Sequence, residues 1–505
     1  MMPNAADSFP KVANGLSHAM IRSIFLVILL ATSVAVTRAA EPPNVVLVAI
    51  DDLNDWVGCL GGHPQVQTPQ IDKLAARGVN FTNAHCQAPI CNPSRISMLL
   101  GKLPSTTGHY FLAPGFRDVD VTRDAVTMFQ HFRAGGYRAE SMGKVFHGPS
   151  DAASFDHVQR SRGYRRPPGK TEKLRYRVPG SHPAWDWGQI DAADEDQRDY
   201  HTAAWAAKRI PELAKRDEPF FLAIGFHLPH VPIYATKKWF DKYPLQTLVM
   251  PPAPRGDLDD VPEIAVQLSL NPTAPRYEWM KDSGEDKHAV QAYLASISFV
   301  DHLVGMVTDS IAAAGLDENT IVVLFSDHGF HLGEKKKWAK RSLWQRTTRV
   351  PLIVAGPGIV GGAVCDAPVG LIDVYPTLAE RCRLPVPEGL DGHSLSGLLN
   401  ELQNDAASAW NHPAICTFGP GNHSIHSRDY HYIRYRDGSE ELYDHRRDSE
   451  EHNNLAGDPT LAAIIAEHRK WVPAHDAPLV PGSRGSDSPL YGEAEGLQQA
   501  MKRGK

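Results

Sequence analysis

Four apolar runs constrain this chain more than any other feature: NVVLVAI (44–50), FFLAIGF (220–226), TIVVLFS (320–326) and VPLIVAG (350–356). β-Branched and aromatic residues fill them, and none alternates apolar with polar positions. A strand wetted on one face alternates, whereas a strand covered on both faces does not. YRAESM (137–142) reads as a further, weaker strand. Helical signals lie between the strands. TPQIDKLAARG (68–78) has a Thr N-cap, a Pro at the first position and a terminal Gly. AVTMFQHFRAGG (125–136) ends the same way, HAVQAYLASISFVDHLVGMVTDSIAAAG (288–315) carries an apolar stripe at helical spacing, and DVYPTLAERC (373–382) is a short helix with Pro376 near its start. Alternating strands and helices point to an α/β fold: a large, mostly parallel sheet between helices.

The character changes after GLDGHSLSGLL (389–399). HSRDYHYIRYRDGSEELYDHRRD (426–448) reads as a small antiparallel sheet with a turn at Asp437-Gly438, and PTLAAIIAEHRKW (459–471) as a helix behind it. The expected organisation is a main domain over 41–400, a C-terminal subdomain over 401–475 and a weakly structured tail over 476–505. Residues 1–40 are set apart. From Met20 a basic residue, an apolar run and small residues before Glu41-Pro42-Pro43 describe a secretory signal peptide. The run is too short to favour a membrane-spanning helix, and no span is expected in the mature chain. Export to a periplasm or the outside follows. The net charge of −6 gives no global bias toward nucleic acid. Residues 158–180 are basic and rich in Pro and Gly, either a solvated loop or an arm for an acidic polymer. Six cysteines are too few for a disulfide framework, although an exported chain can pair some of them.

Polar residues cluster where the strands end. Asp51 and Asp52 follow the first run, His227 and His230 the second, and Asp327 and His328 the third; Lys144 and His147 follow the weaker strand. Open α/β sheets bind ligands outside the carboxyl ends of their strands. Singly, each piece has a structural reading as a helix cap, turn or rigid loop. Together they deliver acids, imidazoles and ammoniums to one rim. Asp51, Asp52 and Asp327 are hard oxygen donors suited to Ca²⁺ or Mg²⁺, and His328 leaves Mn²⁺ or Zn²⁺ open. Arg95, Lys144 and Lys340 supply cationic donors, and His147 and His227 can transfer protons near neutral pH. A metal inside a cationic ring implies a tetrahedral anion, phosphate or sulfate. One stretch adds a nucleophile: CNPSRISMLLG (91–101) sets Cys91 at the start of a helix, the end that attracts anions, with Pro93 in its first turn, Arg95 close by and Gly101 past its end.

C-x-P-S-R before a Leu-rich helix resembles the signature of the type I sulfatases. DDLNDWVGCLGG, the T-P-x-I-D-x-L-A-x-x-G helix, GKVFHG, GFHLPHVP, SDHGFHLGE, KWAK and ELYDHRRDSEEHNNLA are similar to that family over most of the chain, and look most like its iduronate-2-sulfatase branch. The resemblance implies an alkaline-phosphatase-like sulfatase fold and sulfate-ester hydrolysis on a sulfated sugar. It implies one Ca²⁺ held by Asp51, Asp52, Asp327, His328 and modified Cys91. It makes Cys91 the precursor of formylglycine, installed by a maturase that reads Pro93 and Arg95. The hydrated aldehyde then attacks sulfur and later expels sulfate. By the same likeness Arg95 holds the formylglycine and balances the metal site, Lys144 and Lys340 bind sulfate oxygens, His147 assists the diol, and His227 protonates the leaving alcohol, with His230 second. Two positions depart from the branch: Phe330 replaces a Trp and Arg341 a Tyr, both near the sugar. A phosphoester hydrolase of the same superfamily is the alternative enzyme, and a catalytically dead glycan-binding protein the non-enzyme alternative.

Overall fold

A computed structural model of the chain describes residues 41–164, 173–178, 181–271, 273–404, 409–485 and 489–491. The expected signal peptide lies outside the described residues, as does much of the basic 158–180 stretch. Every strand read from the sequence is present. The main sheet contains β1 (Asn44–Asp51), β2 (Gly78–Phe81), β3 (Arg138–Gly143), β4 (His157–Gln159), β5 (Phe220–Pro229), β6 (Thr320–Ser326), β7 (Leu352–Ala355) and β8 (Ala363–Cys365). Its spatial order is β8-β2-β7-β6-β1-β5-β3-β4. Only β7 runs antiparallel to its neighbours, β6 and β2.

The unbroken apolarity of β1 has a direct cause. Val45, Leu47 and Ala49 enter the core on one face, while Val46, Val48 and Ile50 enter the core on the other. Each such burial contributes about 1.5–3 kcal/mol for the larger aliphatic side chains. One core is covered by α1 (Pro69–Ala76) and, further along the chain, by the helices Arg198–Leu213 and Glu285–Ala313. The other is covered by α2 (Cys91–Leu100), α3 (Met128–Ala134) and the helix Val374–Arg381. With α4 (Arg198–Leu213), α5 (Glu285–Ala313) and α6 (Val374–Arg381) so placed, the sheet is the middle of three layers. Among the described residues only α5 is long and apolar enough to cross a membrane, and it is a core helix with most of its length buried. The C-cap of α1 is Arg77 rather than Gly78. Gly78 instead starts β2, where a Cβ would lie 2.2 Å from the Val354 carbonyl oxygen.

The second sheet is antiparallel: β9 (Ala414–Thr417), β10 (His423–His426), β11 (Tyr430–Arg434) and β12 (Glu440–Asp444) in sequential order. Cys416, Ile433 and Tyr443 join the main core, while Ile425, Tyr432 and Leu442 pack on Ile465 of α7 (Ala462–Arg469). Buried Glu441 accepts hydrogen bonds from Tyr435 at 2.5 Å and from Trp344 Nε1 at 2.9 Å, the latter fastening this sheet to the main domain. The described tail residues are more ordered than their composition implies. Ala113 and Arg484 exchange backbone hydrogen bonds, and Tyr491 is buried against Phe111. All six cysteines are free thiols, so no pair is bridged.

A histidine stack runs from His85, which follows β2 outside the main sheet, into the second sheet. The rings of His85 and His426 lie 3.6 Å apart, and those of His426 and His431 3.8 Å apart. Burial, aided by the charges of His431, Arg349 and His445 and opposed by Glu451, holds His85 well below the ordinary imidazole range. Burial, with His431, His85, His445 and His468, does the same for His426. Each therefore binds fewer protons folded than unfolded once the pH drops below its unfolded value, about 6.5. The stability is fully present above that pH and is lost on acidification, at up to about 1.4 kcal/mol per pH unit per histidine. We expect urea unfolding to show stability falling between pH 6.5 and 5, and His426→Gln to flatten that slope by about one histidine's share. An unchanged slope would place the acid sensitivity elsewhere.

Candidate active site

The site begins where β1 stops. Along a regular strand Asp51 and Asp52 would face opposite sides. Asp52 instead adopts a left-handed conformation, φ 65°, so both carboxylates turn onto the rim. Such a conformation costs a non-glycine residue about 1–3 kcal/mol and needs outside support. The support comes from α5 and the end of β6. Tyr293 donates to the Asp52 carbonyl at 2.6 Å and accepts from Asn54 N at 2.9 Å, and Asp52 N donates to Asp327 Oδ1 at 3.2 Å.

Cys91 is the first residue of α2, entered from extended Ile90. Pro93 stands in the first turn, where its missing N–H leaves no vacancy in the helix ladder. Arg95, one turn on and 2% exposed, ties three strand ends together. Its Nε donates to Asp327 Oδ2 at 2.8 Å, one terminal nitrogen lies 3.4 Å from Asp51 Oδ1, and the other reaches the carbonyls of Lys144 and Val145. Its donors are thus spent on the acidic cluster and on backbone, a charge-balancing position.

The remaining groups converge on the Cys91 sulfur. Lys340 Nζ is 3.1 Å away, His328 Nε2 3.3 Å and Lys144 Nζ 3.9 Å. Lys340 also donates to Asp52 Oδ1 at 2.6 Å, and Lys144 donates to Asp51 Oδ2. Burial alone would raise the Asp51 carboxyl, but Lys144, His230, Arg95 and Lys340 hold it well below the usual range. Burial instead wins at Asp52, whose pKa is raised despite Lys340. Burial likewise opposes the charged form of His328, yet Asp327 and Cys91 push it up to about 9. Burial and Lys144 pull His147 down to about 3, so it is neutral at neutral pH.

A divalent cation fits this geometry. Ligand atoms of Asp51, Asp52, Cys91 and His328 all lie within 4.8 Å of one another. Asp52 Oδ2 is buried with no hydrogen-bond partner. His328 Nδ1 faces the Gly329 carbonyl at 2.9 Å, which orients the ring and leaves Nε2 for the cluster. Asp327 sits one step back, with Oδ1 3.6 Å from His328 Nε2 and its other oxygen on Arg95.

Above the cluster is a cavity of about 350 Å³, lined among others by Asp52, Cys91, His147, His230, Lys340 and Arg341. His227, expected as the proton donor, does not line it. The cause is a slip in strand register: Ile50 pairs with Phe226 but Asp51 with Pro229, so His227 and Leu228 bulge out of the ladder. Asp199 of α4 then takes both their backbone N–H groups at 2.8 Å, and its other oxygen is 3.3 Å from His227 Nδ1. His227 lines a separate small pocket, and His230 arrives at the cavity in its place. Sequence reading missed His182, Trp185 and Asn271 in the cavity wall. They come from irregular segments with no periodic signal.

Residues 43–382 match the family model described as Sulfatase, and residues 333–475 match N-sulphoglucosamine sulphohydrolase, C-terminal. The chain belongs to the sulfatase family. The sulfatase is 38% identical to a protein named Sulfatase from Formosa agariphila, over 88% of each chain. It is 30% identical to the Iduronate 2-sulfatase of Mus musculus, over 75% of each. A solved structure in complex with its substrate D-glucosamine-2-N,6-O-disulfate shares the fold at TM-score 0.67 and 21% identity, over 85% of this chain and 97% of that one. The sulfatase is therefore a sulfuric ester hydrolase.

Proposed function

We propose that this sulfatase is an exported enzyme that strips sulfate from a sulfated glycan related to the iduronate type, using one Ca²⁺ and a formylglycine made from Cys91 by a dedicated maturase. The convergence of Lys340, His328 and Lys144 on the Cys91 sulfur carries this reading. The donor set adds a chemical argument. Two carboxylates suit a hard cation, whereas a thiol at the same point is a soft ligand. Replacing sulfur by oxygen at Cys91 removes that mismatch. The modified side chain would supply a hydrated aldehyde as nucleophile, and Ca²⁺ on Asp51, Asp52 and His328 would make that oxygen easier to deprotonate. Lys340 and Lys144 stand where they bind sulfate oxygens whose charge changes during transfer. Neutral His147 would accept a hydrogen bond from the hydrated aldehyde and help expel sulfate. His230, across the cavity, protonates the departing sugar oxygen. Export rests on the N-terminal sequence.

Mass spectrometry of the Cys91 peptide from the native host tests the chemistry. The expected result is a loss of about 18 Da relative to the thiol form. An intact thiol in active enzyme would sink it. The histidine assignment has its own test. His230→Ala is expected to lower kcat by roughly 10²–10⁴-fold on a sugar sulfate and much less on an aryl sulfate, whose leaving group needs no proton. His227→Ala should leave that ratio unchanged, and the reverse pattern would restore His227.

A further inference from the structure

A second cavity, of about 390 Å³, opens on the C-terminal part of the molecule and shares no lining residue with the first. The segment Trp410 to Pro413 ahead of β9, the turn at Ser427 and Arg428 between β10 and β11, and the end of α7 through Trp471 build it. His412 sits between two indoles, with ring centroids 5.2 Å from Trp410 and 6.1 Å from Trp471. Trp410 is fixed by its Nε1, which donates to the Pro368 carbonyl at 2.8 Å. Trp471 is 37% exposed and is the one aromatic among the exposed large hydrophobic side chains of the described residues. His412 Nδ1 is buried without a hydrogen-bond partner. Asn411 and Glu467 add polar groups to the wall. Arg428 pairs with Asp366 at 3.2 Å, but both side chains are more than half exposed, so the pair is weak and the guanidinium stays open to an anion.

These features select one kind of ligand. The exposed indole of Trp471 offers a flat surface to the C–H face of a pyranose ring. The surrounding amide, imidazole and carboxylate groups match the hydroxyls at its edge. Arg428 matches a sulfate. An apolar peptide or lipid would leave those polar groups desolvated and unpaired. We propose that this cavity is a second, non-catalytic site for the sulfated glycan, holding a part of the polymer remote from the ester being cut. It rests on the glycan reading of the substrate above. Two linked contacts raise the local concentration of the chain at the active site without new catalytic groups.

Affinity electrophoresis of a Cys91→Ala protein, in native gels containing ulvan or heparin or their desulfated forms, tests it. We expect at least one sulfated polymer to retard the protein. Trp471→Ala should weaken that retardation about tenfold, as loss of a central aromatic contact does. Arg428→Glu should erase the preference for the sulfated over the desulfated form. In otherwise native enzyme, Trp471→Ala should leave kcat/KM on a monosaccharide sulfate unchanged and raise KM on the polymer. Equal retardation of Trp471→Ala and its parent would overturn the proposal, as would no retardation by any polymer. So would a dimer that dissociates on Trp471→Ala without a change in glycan retention, which would make the cavity a contact between copies. Retention that depends on Trp471, with no sulfate released from any sugar, would leave this site standing and remove the substrate reading instead.

Discussion

Cys91→Ala is expected to abolish sulfate release, by on the order of 10⁴-fold or more, while the protein keeps its fold. The side chain is small and 1% exposed, and its polar neighbours already have partners: Lys340 on Asp52, Lys144 on Asp51. Truncation to alanine therefore strands no buried charge. The melting temperature should move by only a few degrees, which separates this loss from unfolding. Cys91→Ser should be as inactive in steady state, because serine offers one oxygen and cannot reform an aldehyde. Ion chromatography of released sulfate, beside a thermal melt, decides the matter. Serine turning over at a substantial fraction of the native rate would remove formylglycine from the account.

The second large effect concerns Asp52. In the cation-free protein its pKa is raised by burial, assisted by Asp51 and Asp327 and opposed by Lys340 and His328. A raised carboxyl pKa means that the folded state binds more protons than the unfolded one between the two values. Stability contributed by Asp52 is thus present at low pH and lost as pH rises through its folded pKa. Its Oδ2 is buried without a hydrogen-bond partner, and a bound cation would supply one. Adding Ca²⁺ to chelator-stripped protein should raise the melting temperature, with about 2.7 kcal/mol of stabilisation at a hundred times Kd. Asp52→Asn should lose most of that response and reduce turnover by at least about 10³-fold, yet without Ca²⁺ it should be no less stable than the parent. Calorimetry with and without Ca²⁺ checks this. A full Ca²⁺ shift in Asp52→Asn would place the cation elsewhere.

Much of this site was legible because its residues follow buried strands, and buried strands are the plainest signal in an α/β sequence. Asp51 and Asp327 each stand at or just past the end of an apolar run, Lys144 follows the weaker strand, and the sheet carries them to one rim. The different placement of His227 and His230 was not legible. It depends on a register slip between β1 and β5 and on Asp199, which lies 28 residues away on α4. Trp185 and Arg341 enter the cavity from loops or short elements, whose placement is set by tertiary contacts rather than by periodicity. The antiparallel run of β7 was also hidden, because a strand buried on both faces reads the same in either direction.

The packing of the late residues bears on when the enzyme can mature. Gly485 forms part of the cavity wall, and Arg484 is bonded to Ala113 across it. Cys91, by contrast, is made early and ends up 1% exposed at the floor of the cavity. If Cys91 is converted to formylglycine as proposed, the modifying enzyme would have to reach it before the fold buries it. On that proposal, oxidation of Cys91 would precede the docking of the residues around Gly485.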